Sequence, residues 1–182
     1  MKGSIGLGLL VGIIAAIFLP YVFMFITAIS PFDPLINGFN TLASGTPTSL
    51  TGLIPIFSGA FIPIVDQYNP LYIWDLIQGT GADFLPFLPP ILTWLVCGLL
   101  AALFTQSAKK GVLAAIVFVV VEILLYLLFG VLTGSAIMDI IMPGGEIMVF
   151  LFGTVITPLG FGIAGGAIGG AISQGAFGPE EF

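Results

Sequence analysis

Residues 3–32, 84–108 and 147–179 contain no charged side chain, and residues 111–138 contain a single one, Glu122. Runs of that length settle the solvent before any fold is considered. A helix needs about 20 apolar residues to cross a bilayer core about 30 Å thick, and each of these runs is long enough. A soluble domain carries about 25% charged residues, whereas this chain of 182 residues is 58% hydrophobic and 7% charged. Water would meet far more apolar surface than so few charges can cover. The solvent that fits is lipid.

Four stretches are predicted to cross, at about 5–29, 88–106, 111–133 and 147–173, within one membrane domain covering 1–182. The expected fold class is therefore an all-α integral membrane protein with four transmembrane helices. The first stretch begins like a signal peptide, with Lys2 ahead of an apolar run and small residues at Ala28 and Ser30. That run exceeds the ~7–15 residues of a signal core, so it is expected to be a retained helix.

Charge placement orients the spans. Lys2 precedes the first, and Lys109 and Lys110 are expected to fill the turn between the second and third. With the first span leaving the cytoplasm, all three lysines and both termini lie inside, as the positive-inside rule favours. Asp33, Asp66, Asp75, Asp83, Asp139 and Glu146 then fall outside. The expected location is a prokaryotic cell membrane, crossed several times.

Residues 48–65 are uncharged and nearly long enough to add a fifth span, but Gly52, Pro55, Gly59 and Pro63 would interrupt a regular helix. Unpaired backbone groups are costly in lipid. A crossing there would also put Lys2 opposite Lys109 and Lys110. The segment reads instead as a re-entrant or interfacial piece within a long extracytoplasmic loop, 30–87. That loop is unusually apolar, containing LIPIF, FIPIV and DFLPFLPP. Tyr68, Tyr72 and Trp74 are expected as interfacial anchors at the headgroup level, and 70–78 as a short helix on the membrane surface. The loop is either a cap over the chain's own helices or a contact surface for other subunits.

The second and fourth spans align without gaps: Pro90, Gly98, Ala102, Thr105 and Gln106 match Pro158, Gly166, Gly170, Ser173 and Gln174. A duplication into two parallel helical hairpins would leave that trace, and parallel repeats occur in transporter folds. The fourth span also carries two rows of glycine, Gly162–Gly166–Gly170 and Gly165–Gly169, and the first carries Gly8 and Gly12. Glycine at every fourth position strips side chains from a helix face, so a second backbone can approach closely. These faces are expected to pack helices together, within the chain or between copies.

Glu122 is the one charged residue deep inside a span. It lies twelve residues beyond Lys110, or about 18 Å along a helix, near the midplane of the membrane. A carboxylate there costs several kcal/mol unless it is paired. Three arrangements would satisfy it: protonation, hydrogen bonds from Thr93, Thr154 or Thr157, or a cation brought by a partner subunit. Pro158 is expected to kink or interrupt the fourth span.

Much chemistry is excluded. The chain has no histidine and no arginine, which removes histidine-dependent catalysis and histidine metal or haem sites. Nucleic acid is not an expected partner, because phosphate binding rests on Lys and Arg. Cys97 is alone and reads as a small buried hydrophobe. Asp139 and Glu146 read as a solvated acidic rim, and the cytoplasmic acidic tail GAFGPEEF as a disordered segment or a partner contact. No catalytic residue, metal site or cofactor is predicted. The expected function is that of a non-enzymatic accessory or scaffold subunit, with membrane lipid, other membrane subunits or further copies as partners through the outer loop and the glycine faces. The alternative is a small transporter or channel component using Glu122 as a proton or cation site.

Overall fold

A computed structural model describes residues 4–26, 33–45, 52, 88–134, 136–141, 147 and 151–177. Those residues are helical apart from turns, with no strand among them. The helices are α1 (Ile5–Ile26), α2 (Asp33–Ala43), α3 (Leu88–Ala102), α4 (Ala108–Leu132), α5 (Ile137–Ile141) and α6 (Thr157–Phe177). A π-helical turn, Leu151–Ile156, leads directly into α6. Tyr68, Tyr72, Trp74, nearly all of 48–65, Glu146 and residues 178–182 of the acidic tail lie outside the described residues.

Three of these segments are long and apolar enough to cross a membrane: Ile5–Phe23, Ala108–Leu132 and Thr154–Ala176. α3 is shorter than the 88–106 expected, at 15 residues, or about 22 Å of helix. It ends early because the chain turns at Gln106, whose φ of 54° is left-handed. Thr105 Oγ1 donates to the Ala102 carbonyl at 2.8 Å and takes up the end of the helix. Its own first turn holds Pro89 and Pro90, where a missing N–H costs nothing.

Lys109 and Lys110 are not in the turn, as the sequence suggests, but in the first turn of α4. Ser107 is extended (φ −160°, ψ 134°) and the helix begins at the next residue. At its far end Thr133 Oγ1 donates to the Phe129 and Gly130 carbonyls, and Gly134 turns the chain away at φ 90°.

The turn after α3 gathers three other segments. Ser4 N–H donates to the Phe104 carbonyl at 3.0 Å, Gln106 N–H donates to Ser173 Oγ at 3.0 Å, and Gly111 N–H donates to the Ser107 carbonyl. The start of α1, the end of α3, the start of α4 and the last turns of α6 therefore share one end of the bundle. α1 and α4 run away from that end, and α3 and α6 run towards it. α3 packs against α1, α4 and α6, with α1 and α6 flanking the α3–α4 pair.

The polarity of the bundle is that of a protein in lipid. Leu7, Leu10, Ile14, Phe18, Val22 and Phe25 form an exposed stripe on α1, and Leu113, Val117, Val120, Leu124 and Leu128 form another on α4. Thr93, Thr105, Glu122, Thr154, Thr157 and Ser173 are buried. Large apolar side chains face out, while small and polar ones face in. Lipid solvates the outside as well as another leucine would, so close packing and hydrogen bonds hold the inside.

Candidate functional site

The interior is shaped by where helix backbones meet. A Cβ built on Gly165 or Gly169 would overlap the carbonyl of Leu95 or Leu99, so this row lies against α3. The other row lies against α4: Gly162 faces Val119, Gly166 faces Ala115 and the Gly111 carbonyl, and Gly170 faces the Ser107 carbonyl. Gly8 lies on the Ala101 carbonyl, and a Cβ on Gly12 would meet Phe118 and Ala101 at 3.1 and 3.2 Å. Each of these glycines thus meets another helix of the same chain. Two further glycines, not singled out from the sequence, complete the contacts. Gly98 lies on the Gly162 carbonyl and Gly111 on the Gly166 carbonyl. Gly98 left a signal in the alignment of the second and fourth spans.

These contacts fix the register around Glu122. Along α4 the buried residues are Gly111, Ala114, Ala115, Phe118, Val119, Glu122 and Gly130. Glu122 thus continues the inward face, one turn beyond Phe118. It stands about 21 Å from Ala108 and about 15 Å from Leu132 along the helix. Phe118 meets α1 at Gly12 and α3 at Trp94, with ring centroids 5.8 Å apart. One turn beyond Gly12 on α1 is Ala16, which is buried in the same cluster as Phe118, Trp94 and Cys97. Ala16 and Glu122 thus each lie one turn beyond the place where Gly12 faces Phe118. Cys97 on α3 is buried in that same cluster.

On α6 the same layer falls at Thr157 and Pro158, one turn before Gly162. Proline has no N–H to offer the Thr154 carbonyl, and the helix there changes from the wider π-helical turn to α at Thr157. The interruption expected at Pro158 is thus a change of pitch, without a break in the chain's helical path.

Glu122 is 2% exposed, and its Oε1 has no hydrogen-bond partner among the described residues. Two of the hydroxyls expected to serve it do not bond it. Thr93 Oγ1 donates to the Pro89 carbonyl at 2.7 Å, and Thr154 Oγ1 is itself buried without a hydrogen-bond partner. Buried polar atoms in native proteins are nearly always bonded, so two such oxygens in one part of a bundle mark it as unusual. Among the described residues no three His, Cys, Asp or Glu side chains come together.

The chain matches no protein-family model, no curated protein and no solved structure.

Proposed function

We propose that this chain is a non-enzymatic, four-span membrane subunit, an accessory or scaffold component of a larger assembly in a prokaryotic cell membrane, with both termini cytoplasmic. In this reading α3 is the fourth crossing, extended by the turn that follows it. Its position against α1, α4 and α6 supports this, as does the sharing of one bundle end by the three helix termini next to Lys109 and Lys110.

The assembly reading is carried by α2. Ile36 is 52% and Phe39 46% exposed, on a helix that also exposes Asn37 and Asn40. Gly38 of α2 is covered, because Gly52 packs on its carbonyl. An apolar pair left uncovered beside polar neighbours, in a loop as apolar as 30–87, suits the buried centre and wetter rim of a protein contact. Mild crosslinking in native membranes followed by purification tests it. A discrete partner should be recovered with the wild type and lost with Ile36→Asp/Phe39→Asp; a lone monomer from the wild type would reject it.

Glu122 favours a second reading, a small transporter or channel component with an intramembrane proton or cation site. Its buried, unpartnered Oε1 supports this, since polar groups inside the membrane mark ion pathways more often than packing. Glu122→Gln should abolish proton or cation flux in reconstituted vesicles, and undiminished flux would remove the residue from that role.

A further inference from the structure

We propose that Glu122 is a reversible proton-binding site whose bound proton is donated to the main-chain carbonyl of Ala16. This rests on the second reading above and narrows it from any cation to the proton.

A carboxylate can only accept hydrogen bonds, whereas a carboxylic acid also donates one. No donor reaches Oε1 of Glu122, so the ionised form would be left unsatisfied at 2% exposure. The protonated form needs an acceptor, and α1 supplies one. Pro20 lies inside α1 and has no N–H to give the carbonyl four residues earlier, which is that of Ala16. Ala16 is buried in the same cluster as Phe118, and Gly12 faces Phe118 one turn earlier on each helix, so the register carries the Ala16 turn of α1 to the level of Glu122. Each group thus supplies what the other lacks.

A metal cation suits the place less well. Hard cations take about six or more oxygens. The acid and one carbonyl are a small part of that, and the nearby Thr93 hydroxyl is directed to Pro89. Among the described residues, the four packed helices carry no charged side chain besides Glu122 itself and Lys109 and Lys110 at the start of α4. Their other titratable side chains are Cys97 on α3, Tyr21 on α1 and Tyr126 on α4; α6 carries none. The binding step is simple addition, in which one carboxylate oxygen takes a proton from water and returns it. No bond other than O–H forms or breaks.

Infrared difference spectroscopy on the full chain in lipid vesicles, with hydrogen–deuterium exchange, tests the proposal at neutral pH. The wild type should show a carboxylic-acid C=O band that is wholly lost in Glu122→Gln. Glu122→Asp keeps an acid on a shorter arm and should retain a shifted band, which guards against a Gln variant that fails to fold. Pro20→Ala restores an N–H to the Ala16 carbonyl, so the band should move towards that of a non-bonded acid while circular dichroism stays unchanged. No acid band in the wild type, or one that persists in Glu122→Gln, overturns the site. A band unmoved by Pro20→Ala overturns the Ala16 acceptor. Proton flux, measured on the same vesicles, fails separately: a Glu122 acid band without flux keeps the site and rejects the transport reading.

Discussion

The two halves of the bundle are built on opposite plans. Towards the end that holds Lys109 and Lys110, helices meet backbone to backbone at Gly8, Gly98, Gly111, Gly166, Gly169 and Gly170. Ser173 and Phe104 tie the turn to its neighbours there. Beyond the layer of Gly162 and Val119 the buried residues include Pro20, Pro89, Pro90 and Pro158. That half also holds the π-helical turn and the unpartnered oxygens of Glu122 and Thr154. Glycine removes the side chain that would hold two helices apart. Proline leaves the side chain but strips a hydrogen bond from the backbone, so carbonyls stay available. One half is closed, and the other retains polar capacity that its own fold does not use.

The closed half should be the less forgiving. Gly165→Leu drives a side chain into the Leu95 carbonyl, which belongs to a helix backbone and cannot rotate away. A loss of about 3 kcal/mol, or failure to fold, is expected in thermal unfolding in detergent. Tolerance of that leucine would mean that the α3–α6 contact is not close. Ser173→Ala removes the acceptor for Gln106 N–H and should cost about 1–2 kcal/mol in the same measurement.

The polar half should be the more forgiving. Glu122→Met exchanges a buried acid for an apolar side chain of similar length, and the lost hydrogen bond is offset by the smaller cost of burying the side chain, so its effect should stay within about 1 kcal/mol. Thr154→Val removes a hydroxyl without a partner among the described residues and keeps the shape, so its effect should stay within about 0.5 kcal/mol, on the stabilising side. Losses at both positions as large as that of Gly165→Leu would remove the contrast between the halves.

Much of the frame is legible in the sequence. Long apolar runs with few charges specify helices of membrane length, and three of them stand at 5–23, 108–132 and 154–176. The fourth is harder, because Leu103 and Phe104 continue the apolar run while the backbone has already left the helix. Hydropathy does not register a left-handed φ at Gln106. Glycine spacing tells that α6 can be approached on two faces. It does not tell that α3 takes one and α4 the other, since a missing side chain says nothing about whose backbone comes close. Glu122 is conspicuous as the only charge in its span. The proposed acceptor at Ala16 is not, because what distinguishes it is a proline four residues away.

The four-span arrangement itself is open to direct measurement. Single cysteines at Ser107, Leu132 and Gly175 would be labelled in sealed, oriented vesicles by a membrane-impermeant thiol reagent, with the native Cys97 buried and out of reach. Ser107→Cys and Gly175→Cys should react only from the cytoplasmic side, and Leu132→Cys only from the other. Reaction of Ser107→Cys and Gly175→Cys from opposite sides, or of Ser107→Cys and Leu132→Cys from the same side, would contradict four crossings.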